Sequence, residues 1–323
     1  MIAVKDLAYV RYGAPDLDVM ERFLVDFGLQ RSARTECALY MRACCDLPFV
    51  HVTEKTEANR EIGFGLLAQG HDDLISIANT LGTPVHDNPE PGGGLRVRCF
   101  DPAGFRVDIL YGQASVGLLP RRDPIELNAA VGRRRYGKTV RVSPTPSAVM
   151  RLGHIGLMVP DFASSLAFYR DLLGMKPSDD YFAGPPTNVV ASFMHCGLGA
   201  TYTDHHTIAV ITARDGVARF DHSAFEVVDL DDVMQGNQYL KSKGYRHSWG
   251  VGRHVQGSQI FDYWRDPYGN KIEHWTDGDL VNDDSPTGLA PMSETELWQW
   301  APPLLPEFFQ PAGADEEHRE PQA

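Results

Sequence analysis

The feature that most constrains the fold is an internal repeat. The stretch from Leu7, LAYVRYGAPDLDVMERFLVDFGL, reads without a gap beside the stretch from Leu152, LGHIGLMVPDFASSLAFYRDLLGM. In each, an alternating apolar strand runs into a Pro-Asp pair, Pro15-Asp16 or Pro160-Asp161, and then into an amphipathic helix that ends near Gly28 or Gly174. An Asp after Pro suits a helix N-cap, because its carboxylate accepts an amide that the first turn leaves without a partner. A second match closes the unit. RVRCFDPAGFRVDILYG, from Arg96, parallels IFDYWRDPYGNKIEHWTDG, from Ile260, and both read as a hairpin around an Asp-Pro-x-Gly turn. Two further helices are expected at about Asp72–Leu81 and Asp229–Lys243. The chain therefore reads as an α+β fold of four βαβββ modules, paired into two domains at 1–113 and 150–279.

The connector at 114–149 has no clear period and carries Arg121, Arg122, Arg133, Arg134, Arg135, Lys138 and Arg141. It reads either as an interdomain strap with a short helix, lying on an acidic body, or as an anion or RNA patch. The tail at 280–323 is rich in Pro and acid, yet Leu297, Trp298, Trp300, Leu304, Leu305, Phe308 and Phe309 interrupt it, so it is expected to pack on the body or on a second copy. Only its last residues read as disordered. A net charge of −13 argues against nucleic acid as the main partner. The absence of any apolar run of transmembrane length, and of a signal-like start, predicts a cytoplasmic protein that does not bind membranes. Five scattered cysteines without a CxxC pair read as reduced thiols.

The histidines are not scattered: eight of the twelve fall between residues 151 and 275. Three potential metal ligands among the residues of that half sit at repeat-equivalent strand positions. His154 is on the first strand of module three, His222 on the first strand of module four, and Glu273 on the last strand of module four. His154 and His222 each stand seven residues before a helix-starting Asp, Asp161 or Asp229. Closing the modules into one sheet brings such positions together. Two imidazoles and one carboxylate leave adjacent coordination sites open, the arrangement associated with non-haem Fe(II). The first half has the scaffold without the ligands: Tyr9 stands in place of His154, the counterpart of His222 lies near Glu61, and Asp108 answers Glu273. His206, in DHHTIAV, is read as opening a strand, with His205 on its opposite face; His254 and Tyr263 precede Glu273 around the Asp266-Pro267 turn. Imidazoles and a phenol are the groups expected where protons move on and off aromatic hydroxyls.

With these residues in place the chain resembles the type I extradiol ring-cleaving dioxygenases of the vicinal oxygen chelate, or glyoxalase/bleomycin-resistance-like, superfamily. The resemblance covers about residues 5–300 and is most specific over GRHVQGSQIFDYWRDPYGNKIEHWTDGD. It implies a metal-free N-terminal domain and a C-terminal domain in which His154, His222 and Glu273 bind Fe(II), with Mn(II) possible on the same donors. It implies that His206 is the acid/base, with His205 the alternative, and that His254 and Tyr263 hydrogen-bond a bound catechol. The substrates implied are O2 and a substituted monocyclic or bicyclic catechol, trihydroxylated arenes included, in aromatic catabolism; the apolar tail predicts a homo-oligomer. One departure stands out: some members that cleave biphenyl diols have an Asp three residues after the His matching His254, where this chain has Gly257. Two other classes fit the same scaffold. One is a glyoxalase-like or epimerase-like lyase or isomerase, which would need a further carboxylate ligand; the other is a non-enzymatic binder of aromatic compounds or drugs, which would not need the ligands at all.

Overall fold

The computed structural model describes residues 3–312; the disorder expected of the last residues concerns 313–323, outside that range. Each module opens with a long strand, crosses over through a helix, and returns so that its last strand lies parallel beside its first. Two modules then join through their opening strands. Val4–Ala14 pairs antiparallel with Arg60–Ala68 at the middle of an eight-stranded sheet. Val149–Val159 pairs antiparallel with Arg219–Val227 in the same way within a nine-stranded sheet. The ninth strand comes from the tail: Gly288–Pro291 adds itself, parallel, to the edge strand Met175–Phe182.

The caps act as their residue types dictate. Asp16 accepts from the amides of Asp18 and Val19 and opens the helix Leu17–Phe27. Asp161 accepts from Ser164, and Asp229 from Asp232 at the head of Leu230–Ser242. The helix His71–Leu81 begins at Gly70 without a side-chain cap. Gly28 closes the first helix with φ 119°, and a β-carbon there would lie 2.2 Å from the Ser147 carbonyl oxygen. Glycine is thus required twice over, by conformation and by the approach of the connector's end.

The gap-free match of the two long repeats does not hold to its end. Asp161 to Gly174 spans one residue more than Asp16 to Gly28, and the third module takes up the difference by passing from the α-helix Phe162–Ala167 into a π-helix, Phe168–Leu172. A single inserted residue is what such a turn accommodates. It presents Tyr169 to the other domain, where its hydroxyl donates to Asp101 Oδ2 at 2.6 Å.

The two domains share one apolar core, in which Phe23, Phe27 and Phe64 meet Phe220 and Phe225 from the second half. Polar contacts cross the same boundary. The Tyr12 hydroxyl meets Ser223 Oγ at 3.1 Å, and Asp26 accepts from the hydroxyls of Tyr239 and Tyr245 at 2.9 and 2.8 Å. The connector forms no helix; its one pairing is an isolated bridge between Ala129 and Gly132, and Arg122 ion-pairs with the Asp229 cap. In the tail, Phe308 is buried against Trp249, Phe261 and Tyr263, with Leu297, Trp298 and Leu304 packed on them, while Trp300, Leu305 and Phe309 stay exposed. All five cysteines are unpaired. Among the described residues no helix is long and apolar enough to cross a membrane. Tyr169→Phe leaves Asp101 Oδ2 without its donor, while Oδ1 keeps the Phe105 amide, and should lower unfolding stability by about 1–3 kcal/mol, read from urea denaturation.

Candidate metal centre

Strand register places the three expected ligands together. Ala224 pairs with His154 on one side and with Glu273 on the other, so the three share a row on one face of the sheet. His222 precedes Ala224 by two residues and returns to that face. Ala224 itself is buried and contributes only a methyl group, which leaves the space between the ligands open. The donor atoms form a small triangle. His154 Nε2 faces His222 Nε2 at 3.1 Å, and Glu273 Oε2 lies 3.3 and 3.4 Å from those two nitrogens. Three adjacent ligands about 2.1 Å from one cation would stand roughly 3.0 Å apart, so the residues fit a divalent metal.

The electrostatics ask for that cation. Glu273 is fully buried, and neither carboxylate oxygen has a hydrogen-bond partner among the described residues. Burial raises its pKa above the ordinary glutamate range and pushes His154 well below the histidine range, with the His222 ring adding to the second shift. Lone pairs and a carboxylate facing one another at this distance repel, and a cation turns the same contacts attractive. His222 is aimed by Asp221: its Nδ1–H donates to Asp221 Oδ2 at 2.7 Å, and Lys271 donates to Oδ1 at 2.8 Å. Burial opposes ionisation of Asp221, but Lys271 and the His222 ring outweigh it and hold the carboxyl well below its usual range. Such a carboxylate fixes the tautomer that leaves Nε2 free for a metal.

The first domain shows how the same positions look without ligands. Its register pairs Tyr9 with Gly65, Gly65 with Asp108, and Arg11 with Gly63. The counterpart of His222 is therefore Gly63, two residues from Glu61; strand register fixes the position within that neighbourhood. The Tyr9 hydroxyl donates to Asp108 Oδ2 at 2.6 Å, and Arg98, which holds the place of Tyr263, donates to both carboxylate oxygens at 2.6 and 2.8 Å. A phenol and a guanidinium satisfy the carboxylate there.

The other expected residues surround the triangle. The His206 ring lies 4.1 Å from that of His154 and stacks on Phe193 at 4.8 Å. Burial, followed by His154, pushes it well below the ordinary range. His206 does not open a strand: it sits with His205 in a turn between Thr203–Asp204 and Ile208–Thr212. The two rings are both buried and meet Nδ1 to Nδ1 at 3.1 Å rather than facing apart. Tyr263 pairs directly across the strands with Glu273. His254 Nδ1–H donates to the Leu297 carbonyl at 2.7 Å, so its Nε2 accepts from the Tyr263 hydroxyl at 3.0 Å. Burial holds His254 down near 4, while burial and then the Glu273 charge keep the Tyr263 phenol well above its usual range. Gly257 lies against His205, where a β-carbon would come within 3.0 Å of Nδ1. Asp221, Ala224, Asp179 and the Leu297 carbonyl were not singled out from the sequence. Asp221 had a signal, since it directly precedes a ligand histidine.

The profile described as the Glyoxalase/Bleomycin resistance protein/Dioxygenase superfamily matches residues 151–274, within the second domain. Metapyrocatechase 2 from Cupriavidus necator is 31% identical over 315 residues, covering 95% of this chain and 92% of that protein. The chain belongs to the type I extradiol dioxygenases of that superfamily. Two solved structures share the fold with a TM-score of 0.76: a Mn(II)-bound glyoxalase from Novosphingobium aromaticivorans, 24% identical and matched over 96% of this chain and 98% of that one, and homoprotocatechuate 2,3-dioxygenase from Arthrobacter globiformis, 21% identical over 96% and 92%. At these identities the likeness speaks to fold alone.

His222→Ala should abolish stoichiometric metal uptake in equilibrium dialysis, and Asp221→Asn should weaken it by about 10–100-fold. Ala224→Leu should fill the triangle and block uptake while the far-UV circular dichroism stays that of the parent.

Proposed function

We propose that the protein opens the ring of a 1,2-dihydroxyarene beside one hydroxyl, incorporating both atoms of O2, with Fe(II) held by His154, His222 and Glu273. The observation that supports this most is the donor triangle itself: two imidazoles and one carboxylate on one face of the sheet, with three ligands in the cluster among the described residues. A two-histidine, one-carboxylate set with open positions is the donor chemistry of non-haem Fe(II) oxygenases, and a lyase site on this scaffold would call for a further carboxylate. When bound, iron supplies a common coordination sphere for diol and O2 and a conduit for electrons between them. The same donors accept Mn(II), and iron is the proposed resident on ligand type.

The chain's own residues supply the rest. Two neutral rings and one carboxylate leave a divalent site with one net positive charge, which draws in a singly deprotonated diol. His206 Nδ1 is occupied by His205, which leaves Nε2 to take a proton from a hydroxyl and return it during ring opening. Its burial keeps it in the neutral, proton-accepting form. Tyr263 stays protonated and His254 stays neutral; with the phenol O–H given to His254 Nε2, the pair presents the Tyr263 oxygen as an acceptor for a diol hydroxyl. Phe193, Trp249 and Phe261 wall the site with aromatic surface that excludes water. Substituted monocyclic or bicyclic catechols fit such a wall. Exposed Trp300, Leu305 and Phe309 on the tail support assembly with further copies of the chain.

Anaerobically prepared protein loaded with Fe(II) should consume O2 with a panel of catechols and form a yellow ring-opened product. No uptake across the panel with one iron bound would sink the proposal. His206→Ala should keep its iron and lose about 10²–10⁴ in kcat.

A further inference from the structure

We propose that Asp179 and His205 form a positioning dyad that fixes the tautomer of His206; this rests on His206 being the acid/base of ring cleavage. His205 Nε2 lies 2.6 Å from Asp179 Oδ2, and its Nδ1 lies 3.1 Å from His206 Nδ1. A carboxylate only accepts, so His205 carries its proton on Nε2. In its neutral form the His205 ring has one N–H, and with that proton on Nε2 its Nδ1 is an acceptor. His206 must then present Nδ1–H to it, and its lone pair is confined to Nε2. One carboxylate thus decides, two bonds away, which ring nitrogen can act as a base.

The surroundings hold this chain of groups in place from several directions. The amide of His205 donates to the Asp279 carbonyl at 2.9 Å, and the Ser178 hydroxyl donates to the His205 carbonyl. Gly257 leaves room for the His205 ring where a side chain would press on Nδ1. Asp179 is held by the tail. It pairs with Gly288 across the added edge strand, and a β-carbon at 288 would stand 1.7 Å from Asp179 Oδ1. Gly288 has no left-handed backbone that would demand glycine, so the close approach to this carboxylate is what excludes a side chain.

The test uses the full-length protein in two forms. With diamagnetic Zn(II) in the site, spectra of ¹⁵N-labelled histidines should show His206 protonated on Nδ1 and His205 on Nε2. In Asp179→Asn, whose amide can donate as well as accept, both rings should lose their single tautomer. With Fe(II), Asp179→Asn should lose roughly 10- to 1000-fold in kcat, with KM and iron content within about twofold of the parent. Asp179→Glu should recover part of the loss. Gly288→Ala, which leaves every named side chain intact but displaces the carboxylate, should move kcat and the spectra in the same direction. If Asp179→Asn does not fold, the parent spectra and Gly288→Ala decide. A His206 protonated on Nε2 in the parent, or parental kcat in Asp179→Asn, would overturn the dyad. A parent enzyme that consumes no O2 with any catechol defeats the ring-cleavage reading instead, and the tautomer spectra still judge the dyad.

Discussion

The antiparallel pairing of Val149–Val159 with Arg219–Val227 is the contact on which the centre depends. Side chains alternate along a strand, so a slip of one residue would turn His222 and Ala224 to the opposite face and dissolve the triangle. The register is held by burial on both sides: Leu152, Ile155 and Leu157 on one strand and Phe220 and Phe225 on the other sit in the common core. A bulge between Phe220 and His222 then adjusts where the second imidazole stands. Metal chemistry is thus a by-product of strand pairing that the apolar core already enforces.

The first domain isolates what the ligands cost. It keeps the pairing, the crossover helices and even the carboxylate, but Asp108 there is neutralised by Arg98 and Tyr9 and needs no cation. Glu273 has neither partner. A buried carboxylate without hydrogen bonds is costly, and the chain tolerates it only where function repays it. The first domain still serves the second, because its helix Leu17–Phe27 covers the back of the ligand strand: Phe27 stacks on His274 at 3.8 Å, and its carbonyl accepts from His274 Nε2 at 2.8 Å.

Much of this was legible in the sequence because repetition carries geometry. Pro-Asp pairs marked helix starts, Asp-Pro-x-Gly marked the hairpins, and equivalent strand positions singled out His154, His222 and Glu273. What escaped depends on contacts between distant residues. The π-turn at Phe168–Leu172 shows in the sequence only as one residue more between Asp161 and Gly174 than between Asp16 and Gly28, and apolar spacing does not say where it is taken up. The counterpart of His222 is legible only as lying near Glu61; register puts it at Gly63, and a shift of two preserves the side-chain face and leaves no pattern mismatch. The paired histidines read as strand neighbours pointing apart, whereas a turn folds their rings against each other. Asp179 is remote in sequence from His205 and sits in an unremarkable Asp-Asp pair, so only the folded sheet shows where it points.

The Leu297 carbonyl has a consequence for the order in which the centre matures. All three metal ligands have been synthesised once residue 273 is made, and the sheet that aligns them needs little beyond it. His254 takes its orientation from a residue 43 positions further along, and Asp179 meets Gly288 only after the ligand strands exist. In sequence order, the residues of the donor triangle are therefore complete before those that orient its neighbours. A later segment puts the finishing orientation on side chains encoded well before it.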